Sequence, residues 1–474
     1  MALSPAAWSV VQQVGRLLLA SLFYFVIAGL LTPAEVGVLG IATVWIAFLG
    51  IFTDLGFGAA LIQRREITDR HLTTIFLLNL GLGVLLALAG AAASWPISRL
   101  MRTPEAQPVI LVLSAGFIVN ALATVQVALA TRQLRFRPLA LRALGGVLAG
   151  GAVGVVLAAA GWGVWSMVAQ MLTTSVVGTA LLWKLSPYRP RLRDWSRDAA
   201  RDLWGYSSRL FALSLFKYLV QNADALLIGY FFGPVRLGLY ALVNKAVLQP
   251  ITAVEAGVGG FLFPRAARLQ DEPRRVADLY AVSYKALNYL VLPFVAVAGV
   301  WGGILVPALL GPEWRDTELV FYALAVIGVT HPPITPVGQL MKALDKPGWF
   351  LWWGVGFSLL TITALLLGSR FGFSWALVGL ASAYLAVVPV NFMILARLLP
   401  GSLLSVLRSV APSYLAAGVF TALLLSSRVW GGDHVAVAVA STGIGVLLYV
   451  GCVWWSDPWF ASLLRRQFAG LGAV

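Results

Sequence analysis

The sequence predicts an all-α polytopic fold that crosses a membrane about fourteen times, and three observations carry that prediction. The 474-residue chain is 60% hydrophobic and 11% charged, where soluble domains carry about 25% charged residues, and its mean hydropathy is +0.87. Apolar runs recur at the length of about 20 residues that a helix needs to cross a bilayer. Basic residues also collect in every second loop. A membrane β-barrel is excluded, because stretches such as Gly83–Ala93 show none of the alternating polarity of its strands.

Cutting the apolar runs at proline, glycine and charge clusters places the spans in order. They run over 8–31, 37–62, 74–97, 107–131, 140–160, 163–185, 206–231, 236–263, 283–309, 318–341, 348–369, 373–397, 405–426 and 435–456. The first is expected to stay in the mature protein. Met1–Val14 has no Lys or Arg, and the run that follows is too long for a signal peptide and contains Arg16. With both termini placed in the cytoplasm, 24 of the 34 Lys and Arg residues fall in inside loops, six in outside loops and four in spans. One missed helix would invert every later loop and destroy that asymmetry. The net charge of +15 is therefore read as basic cytoplasmic loops and not as a nucleic-acid surface.

The chain also contains a repeat. Shifting it by 201 residues puts Arg16 on Lys217, Pro33 on Pro234, Gly37 on Gly238, Asp54 on Glu255 and Arg64 on Arg265. Further on, Trp165 meets Trp375 at 210, the drift of an insertion near Arg265–Asp278. Six spans per repeat make the repeats parallel, as in some transporters. The expected organisation is an N-lobe of six helices over 1–185, a basic cytoplasmic linker over 186–205 and a C-lobe of six helices over 206–398. Two appended helices and a cytoplasmic tail occupy 399–474. Two such lobes enclose a central cleft that opens to either side by rocking.

Ionisable residues inside spans are expensive and point to a cavity or a partner. They are Arg16 in span 1, Asp54 in span 2, Lys217 and Asp224 in span 7, and Lys245 and Glu255 in span 8. In one reading Arg16, Lys217 and Lys245 line the cleft and bind an anionic group such as a pyrophosphate. Asp224, Asp54 and Glu255 then balance charge or carry a coupling proton or sodium ion. In the other reading Arg16–Asp54 and Lys217–Glu255 pair within each lobe and join neighbouring spans. Tyr24, Trp45, Tyr218 and Tyr240 share the charged spans and are candidates for stacking on a sugar. The glycines of Gly145–Gly154 are read as close helix packing.

Enzyme chemistry has no support. The sequence has no G-x-x-x-x-G-K-[ST], D-x-D, H-E-x-x-H or G-x-S-x-G motif. Cys452 stands alone, and His71, His331 and His434 are scattered, so no disulfide, metal site or cofactor is expected. His331, in His331-Pro332-Pro333, is read as a helix break or a packing feature.

Several segments resemble a known family. Phe52-Thr53-Asp54-Leu55-Gly56-Phe57 with Ala60-Leu61-Ile62-Gln63-Arg64 is similar to a segment of bacterial polysaccharide flippases. So are Arg132-Gln133-Leu134-Arg135-Phe136, Gly161-Trp162-Gly163-Val164-Trp165, Asn222-Ala223-Asp224 with Ile228-Gly229, and Phe263-Pro264 leading to Arg268-Leu269-Gln270. The family is the lipopolysaccharide and exopolysaccharide flippases of the multidrug, oligosaccharidyl-lipid and polysaccharide exporter superfamily, and the likeness runs from about residue 10 to about residue 400. It implies two six-helix lobes and alternating access. It also implies a lipid-linked oligosaccharide, usually on undecaprenyl pyrophosphate, moved from the cytoplasmic to the periplasmic leaflet of the bacterial inner membrane. Arg16 and Lys217 occupy positions suited to the pyrophosphate. The implied partners are that substrate, membrane lipids and a downstream polymerase or ligase, and a single chain suffices. An ion-coupled multidrug exporter of the same superfamily and a membrane-embedded glycan polymerase or acyltransferase remain as alternatives. The first calls for an acidic cleft, the second for a large outer loop.

Overall fold

A computed structural model describes residues 5–53, 61, 67–191 and 195–456, with the backbone alone at 5–7, 9–10, 197–221 and 456. Every regular element among these residues is helical. Among the described residues, thirteen segments are long and apolar enough to cross a membrane. The chain separates into two compact units, 1–241 and 242–474.

The first unit holds α1 (Pro5–Ala28), α2 (Pro33–Gly50), α3 (Asp69–Leu100), α4 (Ala106–Ser114), α5 (Gly116–Arg132), α6 (Phe136–Ala159) and α7 (Val164–Leu185). Local chemistry sets their starts. Pro33 opens α2 where no amide donor is needed. The Thr32 amide and hydroxyl donate to Glu35 Oε2 at 2.8 and 2.9 Å, closing a capping box. At α3 the same place is taken by His71, whose Nδ1 lies 2.8 Å from the Thr68 hydroxyl. The glycines of α6 pack closely, as the sequence predicts. A Cβ on Gly146 would lie 2.7 Å from the Thr174 carbonyl oxygen of α7, and one on Gly154 would meet Ile27 of α1 at 2.7 Å.

Helix α8 is continuous by hydrogen bonding over Arg197–Arg268, yet Gly233 has φ 75° and ψ −176°. That backbone is open to glycine and strained for other residues. The apolar stretch Asn222–Arg268 has 47 residues, a length of roughly 70 Å if straight, more than twice the hydrocarbon core. It is not straight. A Cβ on Gly229 would lie 3.1 Å from Leu237, and Tyr240 bonds Asp224, sixteen residues earlier. The chain reverses at Gly233, so α8 contributes two spans in antiparallel order.

The first of these ends, with the start of the second, is held against α2. A Cβ on Gly37 would overlap the Pro234 carbonyl, and a Cβ on Gly238 would overlap the Pro33 carbonyl. Proline and glycine exchange contacts reciprocally, at the positions that the 201-residue repeat superimposes. This contact explains why the boundary between the compact units falls within the eighth span and not in the basic stretch 186–205.

The second unit continues from Leu242 through α9 (Pro273–Leu310), a 3-10 turn at Pro312–Thr317, α10 (Glu318–Ala343), α11 (Pro347–Ser369), α12 (Phe373–Leu398), α13 (Leu403–Gly431) and α14 (Val435–Ser456). Its packing order repeats that of the first unit. There α3 packs on α4 and α5, α5 on α7, and α6 on α7; here α9 packs on α10, α10 on α12, and α11 on α12. The appended helices dock on α9. Tyr284 and Tyr414 share a hydrogen bond of 2.9 Å, and Asn288 Nδ2 donates to Ser413 at 2.8 Å. Trp301, Phe420 and Tyr449 fill a core shared by α9, α13 and α14. At the end of α13, Arg428 reaches Glu318 at 2.7 Å and Asp433 at 3.0 Å.

Candidate functional site

The cationic candidates fall as follows. Arg16 is exposed on α1. Beside it is Arg142, a half-buried side chain on α6 whose charge acts on that of Arg16. The sequence reading sets Arg142 at the start of the span 140–160 and counts its charge with the cytoplasmic side; α6 begins at Phe136 and carries Arg142 in its second turn. Among the described residues, neither guanidinium pairs with a carboxylate. Two neighbouring positive charges without an acid suit an anion with several oxygens. Lys217 and Tyr218 lie on α8, where only the backbone is described, and Asp54 lies outside the described residues. Lys245 is half-buried on the second span of α8.

The acidic candidates are held in two different ways. In the first unit Asp224 accepts the Tyr240 hydroxyl through one oxygen and the Ala225 amide, at 2.8 Å, through the other. Tyr240 is 2% exposed. Its ring is enclosed and its hydroxyl engaged, so in this arrangement it offers no face to a sugar. Tyr24 and Trp45 are half-buried, each with a ring edge-on to a neighbouring Phe.

In the second unit Glu255 is 8% exposed, the one Asp, Glu, Lys or Arg fully buried among the described residues. Its Oε1 lies 2.9 Å from His331 Nδ1 and accepts the Thr335 hydroxyl at 2.5 Å. The imidazole stacks on Tyr384 of α12, with centroids 6.1 Å apart and planes at 15°. Glu255 therefore takes its partners from α10, where the sequence offers Lys217 as the pairing alternative. His331 is a member of this cluster, beyond the packing role the sequence assigns it. The register that brings them together is regular. A Cβ on Gly328 would meet Ile251 at 3.0 Å, and one on Gly259 would meet Gln339 at 3.0 Å. Glu255 sits between those contacts on a parallel seam of α8 and α10.

A helical bundle with its packing order used twice, and with ionisable side chains inside its spans, defines a multi-pass membrane protein. Residues 26–318 match the family described as "Polysaccharide biosynthesis protein", and the chain belongs to that family. It is 27% identical to the lipopolysaccharide biosynthesis protein WzxC of Escherichia coli (strain K12), over 82% of this chain and 79% of that protein. It is 24% identical to the succinoglycan biosynthesis transport protein ExoT of Rhizobium meliloti (strain 1021), over 76% and 73%. With the teichuronic acid biosynthesis protein TuaB of Bacillus subtilis (strain 168) it shares 26%, over 83% and 81%. Among solved structures, the lipid II flippase MurJ in an inward closed conformation superimposes with a TM-score of 0.73 at 11% identity, covering 98% of this chain and 99% of that one. An inward-facing multidrug resistance MATE transporter of the MOP superfamily gives 0.62 at 15%, covering 80% and 95%. At such identities these two show a shared fold.

Proposed function

We propose that the protein is a flippase, a transporter and not an enzyme, that moves a lipid-linked oligosaccharide across the membrane for cell-surface polysaccharide synthesis. The observation that carries this reading is the family match over residues 26–318. The names of WzxC and TuaB, which speak of lipopolysaccharide and teichuronic acid biosynthesis, and that of ExoT, which adds transport, support it. The fold of MurJ supports it further, and it spans nearly the whole of this chain, the appended helices α13 and α14 included.

The lipid carrier in this reading is undecaprenyl pyrophosphate, and the direction is from the cytoplasmic to the periplasmic leaflet of the inner membrane by alternating access. Arg16 and Arg142 bind the pyrophosphate oxygens, and Lys217 and Lys245 add positive charge along the path. Close pairs of cations hold diphosphate well because each oxygen takes its own charge-assisted hydrogen bond. Tyr24 and Trp45 are the aromatic faces offered to sugar.

The test is leaflet exchange of a fluorescent undecaprenyl-pyrophosphate glycan in proteoliposomes. The wild type accelerates exchange; Arg16→Ala, Arg142→Ala and Lys217→Ala, each checked for folding, slow it at least about tenfold, the loss of one charge-assisted contact. A wild type that moves no such lipid but extrudes organic cations overturns the reading in favour of a drug exporter.

A further inference from the structure

We propose that Glu255 and His331 form a proton-binding site that couples transport to a proton gradient; this deepens the flippase reading and rests on it. The geometry makes the case. The carboxylate is buried, its Oε1 is shared by the imidazole at 2.9 Å and a hydroxyl at 2.5 Å, and the far nitrogen of the ring, Nε2, is buried with no hydrogen-bond partner among the described residues. His331 is the fourteenth of the 26 residues of α10, roughly 20 Å along a helix about 39 Å long, so the site lies near the middle of that helix.

The pair has a simple proton ledger. Without the added proton it is carboxylate and neutral imidazole, net −1. One proton on Nε2 or on Glu255 makes it net zero, as imidazolium–carboxylate or imidazole–carboxylic acid. No bond other than to that proton is made or broken. A net charge in a dry seam is costly, and a neutral pair is much less so. Uptake therefore favours the closed, packed seam between α8 and α10, and release favours an arrangement that admits water to Glu255.

The surrounding elements suit such a switch. Pro332, Pro333 and Pro336 interrupt α10 at the site, removing amide donors and loosening the helix where it would have to move. From α12 the facing titratable group is Tyr384. Helix α11 carries no Asp, Glu, Lys, Arg, His or Tyr. Helix α9 meets α10 at Val295 and Gly328, and its charge nearest in sequence to that contact is Lys285. On α8 the nearest charges are Lys245 and Arg265, ten residues to either side. Arg265 lies over the Phe261 ring at 3.8 Å. His331 is thus the titratable partner within hydrogen-bond distance of Glu255. A set of three or more His, Cys, Asp or Glu ligands, as a metal ion would use, is absent from the described residues.

The experiment uses the full chain in nanodiscs, labelled with ¹⁵N-histidine. Three histidines give a resolvable spectrum, and His331→Gln assigns the resonance. The His331 signal is expected to respond to pH, and Glu255→Gln displaces the midpoint of that response by one pH unit or more, a tenfold change in proton affinity. Thr335→Val, which removes only the hydroxyl on Glu255, displaces it as well and serves if Glu255→Gln fails to fold. In proteoliposomes a proton gradient stimulates wild-type exchange and not that of Glu255→Gln. A signal that does not titrate, a midpoint unmoved by both variants, a response to sodium at fixed pH, or a gradient response kept in Glu255→Gln each overturns the proposal. A site that titrates as expected in a protein that flips no glycan lipid upholds proton binding and overturns the flippase reading instead.

Discussion

Replacing Gly37 by alanine tests the reciprocal contact between α2 and the hairpin of α8. The added methyl would lie 2.9 Å from Pro234 Cα, and would overlap the carbonyl of the same residue. Carbon atoms pack at about 3.5–4.0 Å, so the carbon contact alone demands a separation of roughly 0.6–1 Å, and the carbonyl demands more. Because the obstruction is backbone, no rotamer change relieves it. The cost belongs at the upper end of the overpacking range, about 3 kcal/mol, which is roughly two decades in the equilibrium between the packed and the separated helix ends. Gly238→Ala meets the Pro33 carbonyl in the same way and should cost the same. The assay is disulfide formation between Gly40→Cys and Leu237→Cys in a Cys452→Ser background. A Cβ at 40 would lie 3.3 Å from Leu237 Cδ2, so the two positions face each other across the seam. Gly37→Ala should slow that cross-link strongly and lower the melting temperature. Cross-linking and melting that match the parent would refute the close approach and, with it, the structural reality of the repeat at this point.

Two further predictions concern charged residues. Arg428→Gln loses its bonds to Glu318 at 2.7 Å, Asp433 at 3.0 Å and the Val300 carbonyl at 3.0 Å. The guanidinium is only 19% exposed, so the loss should be about 2 kcal/mol, seen as a lower melting temperature in detergent and as faster proteolysis between α13 and α14; an unchanged melt removes the clasp from the account. Asp224→Asn keeps its size and its acceptor for Tyr240, so it should fold and leave the ion dependence of exchange as in the wild type, whereas a lost ion dependence returns the coupling role to Asp224.

Much of the fold was legible because its cause is local. Apolar length, loop charge and the Gly233-Pro234 break mark the spans directly. The repeat was legible as well, since Pro33, Gly37, Pro234 and Gly238 keep their spacing and the structure finds them exchanging contacts. Two site features were not. Arg142 closes a basic run from Arg132 onward at the edge of the span 140–160, which reads as cytoplasmic-side charge, and the start of α6 at Phe136 sets it a full turn inside the helix. His331 bonds Glu255 across 76 residues, and no local pattern encodes a partner that distant. The usable signal was topological: spans 8 and 10 run in the same direction, so the middles of both lie at the same depth, and a lone histidine in one is within reach of a lone acid in the other.

That difference in partners also separates the two buried acids in kind. Asp224 is held by a phenol and an amide, groups that donate a hydrogen bond and keep their own proton across the neutral range. Such a shell ties the two arms of the hairpin. Glu255 is held by an imidazole, the side chain whose ordinary titration falls near neutrality. Its shell can hand a proton across a single 2.9 Å contact and exchange net charge with it. The repeat sets Asp54 in register with Glu255, but no second histidine stands in register with His331: shifting back by 201–210 residues reaches Ala130 to Ala121, a stretch without an imidazole. The proton site proposed at Glu255 and His331 therefore has no histidine counterpart in the first repeat. In that proposal a single repeat responds to the proton, and the energy of a gradient does work only where protonation favours one packing over another.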